Sequence, residues 1–211
     1  GMHMKFKVID KENWKRSEYF DHYYSNVPCT YTMTVKLDIT KIRESEQKLY
    51  PTLLHSITNI VNRHEEFRTS FNSNNQLGVF DYMFPHYTIF HKETETFSNV
   101  WTEYTEDYDV FYELYKRDMR AFGSVNKREA KPDLPANTFN IFAIPWITFE
   151  GFNFNLQKTQ DCLLPIFTIG KYYEENDSLI LPLAIQVHHA LCDGFHLCRF
   201  VNELQYLINR L

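Results

Sequence analysis

The stretch Gln186-Val187-His188-His189-Ala190-Leu191-Cys192-Asp193-Gly194-Phe195-His196 brings ionisable and nucleophilic side chains together between an apolar run, LPLAIQV, and an amphipathic C-terminal segment. If the apolar run is a strand, His188 and His189 face opposite sides of it. One can then enter a cleft while the other packs. Histidine has an unperturbed pKa of about 6.5, so its neutral ring accepts a proton near neutral pH, which is general-base chemistry. Asp193-Gly194 supplies a turn, and Asp193 can cap the helix that follows. Two other readings fit the same residues. The histidines can be core side chains with satisfied hydrogen bonds. Alternatively, His188, His189, Cys192, His196 and Cys198 offer metal-ligand types close together, although four-ligand zinc sites usually draw two ligands from each of two knuckles or helices.

Positioning such a turn takes a strand before it and a helix after it. The spacing predicts both: a strand over 179–189, and a helix over 195–210 that buries Leu197, Phe200, Val201, Leu204, Leu207 and Ile208. Cys29, Tyr31, Met33, Val35 and Leu37 alternate with polar residues over 29–38, a strand signal. Helices are predicted over Lys11–Tyr24, over 39–62 with Asp38 as N-cap, and over 99–122 with Gly123 as C-cap. A hairpin is expected over 67–81, turning at Asn72-Ser73-Asn74-Asn75. Further strands are expected at Tyr87–His91, 139–148 and 164–172. The polar stretch 124–138 reads as a loop, and EENDS at 174–178 as the turn joining the last two strands. Interleaved hairpins and helices predict an α/β two-layer sandwich with a mixed, largely antiparallel sheet and flanking helices. The chain, residues 1–211, reads as a single domain.

Composition narrows the function. The net charge is −5 and no segment concentrates Lys and Arg, which argues against nucleic-acid binding. Cys29, Cys162, Cys192 and Cys198 lack the even spacing of a disulfide scaffold, so reduced cysteines and a cytoplasmic location are expected. No apolar run reaches the ~20 residues of a membrane span. GMHMKFKVID lacks the apolar core of a signal peptide, and Gly1 before Met2 reads as a cloning remnant.

H-H-A-L-C-D-G-F-H followed by R-F-x-N-E-L-Q closely resembles the active-site signature of the chloramphenicol acetyltransferase family. The shorter H-x-x-x-D-G occurs also in dihydrolipoyl acyltransferases and peptide-synthetase condensation domains. The likeness extends through WKRSEYFDHY at 14–23, LDIT at 37–40, YP at 50–51, YTIFHKETETFS at 87–98, IPWITF at 144–149, FNFNL at 152–156 and PIFTIGKYY at 165–173, covering about residues 5–211.

The resemblance implies an acetyl-CoA-dependent O-acetyltransferase, metal-free, acting on chloramphenicol. His189 would be the general base on the acceptor hydroxyl, in a ternary complex without an acetyl-enzyme, so Cys192 is not expected to be a nucleophile. Asp193 would be a buried structural aspartate paired with Arg16, and Thr168 would help bind the tetrahedral intermediate through water. Lys48, Tyr50, Lys171 and Tyr172 match CoA-contacting positions. Tyr23, Val27, Cys29, Thr88 and Phe97 match the acceptor pocket. The family forms trimers with active sites between subunits, so a homotrimer is expected. Three departures stand out: Gly151 replaces a serine that donates to the oxyanion, and His22 and His86 replace an aromatic residue and a glutamine. They keep two alternatives in view, a different small hydroxyl acceptor or a catalytically impaired binding homologue.

Overall fold

The computed structural model describes residues 4–154 and 162–211. Gly1, Met2 and His3, and Asn155 and Leu156 at the end of the FNFNL segment, lie outside the described residues. In chain order, β1 (Phe6–Val8) leads to a 3-10 turn (Lys11–Asn13) and the short helix α1 (Ser17–Asp21), which runs on as a π-helical turn (His22–Asn26). The alternating segment is β2 (Thr30–Asp38).

The helix expected over 39–62 is two helices, α2 (Thr40–Glu44) and α3 (Leu49–Val61). The chain breaks between them where Glu46 takes a φ of 64°. Asp38 accepts from both the backbone N–H and the hydroxyl of Thr40, so it caps α2 from one position before the N-cap. The expected hairpin is β3 (Thr69–Phe71) and β4 (Leu77–Phe80).

β5 (Phe84–His91) pairs with β6 (Thr96–Trp101), so the predicted helix over 99–122 starts as strand and becomes α4 only at Tyr108–Phe122. Gly123 does end α4, donating its N–H to the Met119 carbonyl. β7 (Thr138–Ala143) and β8 (Ile166–Ile169) are shorter than expected. The EENDS turn joins β9 (Tyr173–Glu175) to β10 (Ser178–His188), with Asn176 and Asp177 both at positive φ. α5 (Gly194–Ile208) follows.

β1, β4 and β3 form a small antiparallel sheet. The main sheet runs β2-β10-β8-β7-β5-β6, with β9 added beside the start of β10. Its β5–β7 and β7–β8 pairs are parallel and the rest antiparallel. The mixed α/β sandwich is therefore present. β10 is buried on both faces, which is why LPLAIQV reads as continuous apolar sequence rather than alternation. Phe139 meets Phe167 edge-on, and Phe167 packs on Phe200 of α5, which with Phe67 fills the helix-covered side.

Candidate active site

β10 carries its buried strand to His188, and the chain turns immediately afterwards. His188 and His189 do separate as their alternation requires. His188 is fully buried against Tyr24. The His189 side chain keeps about a quarter of its surface exposed (27%).

The turn between them and α5 is held by a high density of side-chain contacts. Arg16, just before α1, forks onto Asp193, with Nη1 to Oδ2 at 3.0 Å and Nη2 to Oδ1 at 2.9 Å. Its remaining donors reach the His189 carbonyl at 2.6 Å and the Ala190 carbonyl at 2.7 Å. A planar guanidinium presents five donors in a fixed fork, so one residue fixes three groups of the turn at once. The Arg16 hydrogen bond holds the Asp193 carboxyl below its ordinary value. Asp193 is half-exposed rather than buried as expected, while Arg16 is nearly buried (15%). An unpaired-charge penalty therefore falls on the arginine when the pair is broken.

Aromatic rings fix the His189 imidazole itself. Tyr23 lies flat on it, with centroids 3.7 Å apart and planes 9° from parallel, and Tyr31 meets it edge-on at 5.4 Å. The His189 backbone N–H donates to the Cys29 carbonyl at 2.8 Å. Its Nδ1 lies 3.3 Å from Asp193 Oδ1, out of line for a hydrogen bond, and is shielded from solvent. The exposed part of the ring is thus the side away from Nδ1. The sequence marks Tyr31 only as a strand residue, yet its hydroxyl also donates to the Cys192 carbonyl at 2.9 Å. Its place two residues after Cys29 in the alternation is the available signal.

Metal binding has no geometric support here: among the described residues no group of three or more His, Cys, Asp or Glu could hold an ion. His188 faces the core, and Cys192 is buried with its sulfur toward the Glu66 carbonyl. Burial pushes the Cys192 thiol up, the opposite of nucleophile activation.

The remaining candidates gather elsewhere. Tyr50, Thr88, Phe97, Lys171 and Tyr172 line a largely apolar cavity of about 610 Å³ between α3, α4 and the strands β5 and β8. Lys48 is exposed immediately before α3. The Tyr50 hydroxyl donates to the Thr88 carbonyl at 2.9 Å. Thr168 is buried, opposite Ala184 of β10 and Phe142 of β7. Of the expected acceptor set, Tyr23 and Cys29 stay with His189 and exposed Val27 lies between them in the chain, whereas Thr88 and Phe97 belong to the cavity.

The two groups are far apart in one chain. β5 and β10 are three strand spacings apart, about 14 Å, and the five residues from Ala184 to His189 span about 17 Å more.

The departures are also resolved. A Cβ on Gly151 would meet no heavy atom within 4 Å. The segment around it is tied to the sheet, since the Phe154 N–H donates to Gln186 Oε1 at 3.1 Å and Thr32 donates to Asn153 Oδ1 at 2.7 Å. His86 has both ring nitrogens engaged, by Asn140 Oδ1 at 2.6 Å and Glu129 at 2.9 Å. His22 lies edge-on to Tyr23.

Comparison with known proteins gives a consistent result. The family model described as chloramphenicol acetyltransferase matches residues 4–205. A chloramphenicol acetyltransferase of Campylobacter coli is 60% identical over 207 residues, covering 98% of this chain and 100% of that protein. One from Clostridium perfringens is 60% identical over 206 residues, with coverages of 98% and 100%. Among solved structures, a chloramphenicol acetyltransferase superposes with a TM-score of 0.84 at 21% identity, covering 97% of this chain and 100% of that one. A dihydrolipoamide acetyltransferase of Azotobacter vinelandii gives 0.65 at 16% identity, covering 91% and 86%. At these identities the structural likeness concerns the fold alone.

Proposed function

The chain belongs to the chloramphenicol acetyltransferase family, and from that premise we propose that it transfers the acetyl group of acetyl-CoA to a hydroxyl of chloramphenicol. His189 takes the hydroxyl proton as the oxygen attacks the thioester carbonyl. The tetrahedral intermediate then expels the CoA thiolate, which recovers that proton. Arg16 and Asp193 hold the turn, and Thr168 supports the intermediate through water. Tyr50, Lys171 and Tyr172 in the apolar cavity, with Lys48 nearby, receive CoA, and Thr88 and Phe97 receive the aromatic acceptor. Tyr23, Val27 and Cys29 complete the acceptor side beside His189. The chain acts as one domain in a cytoplasmic homotrimer, conferring resistance to chloramphenicol.

The observation that carries this reading is the identity of 60% over essentially the full length of relatives named for that activity. The gap between His189 and the cavity supports an interfacial site, because a base on one chain then serves the cavity of the next. Mixing inactive variants tests this. His189→Ala lacks the base, and Ala143→Trp fills the cavity, which Ala143 lines. Each alone should release thiol from acetyl-CoA with chloramphenicol at no more than about a thousandth of the wild-type rate. Refolded together in equal amounts, they should recover about a quarter of wild-type activity, because random three-chain rings pair a sound base with a sound cavity at one site in four. No recovery from properly assembled mixtures would place both halves within one chain.

Gly151 offers a second test. Open space around it admits a serine hydroxyl, and one oxyanion donor is worth about 10²–10³ in rate. Gly151→Ser should raise kcat with little change in KM. An unchanged kcat would mean that the developing charge already has another donor.

A further inference from the structure

His196 ends the signature motif without a part in the chemistry above, and its contacts supply one. The peptide groups of the His189 turn are nearly all accounted for. The His189 N–H goes to the Cys29 carbonyl, and those of Leu191 and Cys192 go to the His188 carbonyl. Two imidazoles receive the others. His188 Nδ1 accepts from the Ala190 N–H at 3.0 Å, and His196 Nδ1 accepts from the Asp193 N–H at 2.8 Å. The second contact closes a capping box at the start of α5, with histidine at the N3 position usually held by Glu or Gln. A ring nitrogen accepts only while it carries no proton.

We propose that His196 is a positioning residue: its neutral ring anchors Asp193, and through Arg16 the His189 turn, so that taking up a proton loosens the turn. The inference rests on His189 as the base.

The two flanking rings differ in access. His188 is fully buried and, chiefly through burial, lowered to about 4, so it stays neutral in ordinary buffers. His196 lines a cleft of about 390 Å³ through which protons reach it. Around it stand Asp193, paired with Arg16, and Glu66, paired with Arg199; Lys7, Asp10 and Glu65 line the same cleft. The nearest acids are thus already engaged by arginines, and burial holds His196 below its ordinary value. The sign follows. An unfolded histidine takes a proton near pH 6.5, before the folded one does. Stability from this contact is complete above about pH 6.5 and is lost as pH falls toward the lower folded value.

His196→Asn keeps an acceptor where Nδ1 stands and cannot titrate, whereas His196→Leu removes the acceptor. At pH 8 the Asn variant should keep kcat within about threefold of wild type, and the Leu variant should lose about ten- to a hundredfold in kcat with a smaller change in KM. As pH falls below about 6.5 toward the lower folded value, wild-type kcat should fall more steeply than that of the Asn variant. A Leu variant with the wild-type kcat and pH profile would overturn the proposal, as would a folded Asn variant no better than Leu. Thermal unfolding from pH 8 to 5 separates this from a failure of the His189 reading. The Asn variant should lose less stability than wild type whatever the identity of the base, and equal losses would sink the anchor.

Discussion

Replacing His189 with alanine is expected to lower kcat for chloramphenicol acetylation by about a thousand- to ten-thousand-fold, the upper range of a positioned general base. KM for acetyl-CoA should move little, because the cavity lined by Tyr50, Lys171 and Tyr172 does not include His189, whereas KM for the acceptor can rise as Tyr23 loses the ring it stacks on. The Arg16 fork should survive, since its contacts to this residue go to the backbone carbonyl, not the ring. A loss of activity without a loss of fold is therefore expected, and circular dichroism with steady-state kinetics reads both. Cys192→Ala is the matching control. Its thiol is buried and pushed up, so the variant should retain activity to within about threefold. If the His189→Ala protein kept a tenth of wild-type kcat, the base would have to be sought elsewhere. If Cys192→Ala were the dead variant, the chemistry would be nucleophilic.

The second large effect concerns stability. Asp118 of α4 is almost wholly buried (2%) and receives Lys131 Nζ at 3.1 Å and the Thr102 hydroxyl at 2.7 Å. Thr102 also meets the buried Tyr87 hydroxyl at 2.7 Å, so one carboxylate ties α4, the loop around residue 131 and β5 together. Lys131 is nearly buried and lies over the Trp101 ring at 3.6 Å. Asp118→Ala leaves that ammonium unpaired, at a cost of about 3–5 kcal/mol. For a chain of this size that corresponds to a melting temperature lower by about 6–20 °C. Combining Asp118→Leu with Lys131→Met should restore most of the loss, because an apolar pair of similar volume often replaces a buried ion pair at little cost. A shift in Tm below about 2 °C for Asp118→Ala would mean that water reaches the ammonium.

Sequence legibility follows the locality of the interactions. β10 and α5 can be read because the apolar run Leu179–Ile185 and an amphipathic period over the 15 residues of α5 each declare themselves locally. β6 cannot: Thr96–Trp101 pairs with its hairpin neighbour β5 across the turn at 92–95, but it exposes Phe97 and buries Ser98, so its apolar pattern does not mark the buried face. The apolar spacing stays in phase across the break between α2 and α3, and the signal for it is Pro51, which a helix tolerates only in its first turn and which therefore starts a new helix at Leu49. The same division runs through the site. His189 and Asp193 stand four residues apart and emerge together. Arg16 lies 177 residues from Asp193, and only the resemblance connects them. His196 looks like one more residue of an amphipathic helix, since nothing local shows that its Nδ1 turns back to the cap.

That separation has a consequence during synthesis. β2 and Arg16 leave the ribosome well before their partners, β10 and the turn that follows it. Until β10 emerges, β2 lacks its strand neighbour and the arginine its carboxylate, so the nascent chain carries an open strand edge throughout that interval. At about 5–20 residues per second, the nearly 140 residues between Asp38 and Ser178 take about 7–28 seconds to translate. Docking of β10 thus covers that edge of β2 and brings Asp193 to Arg16 in one event, and an unpaired strand edge is a template for aggregation until it occurs.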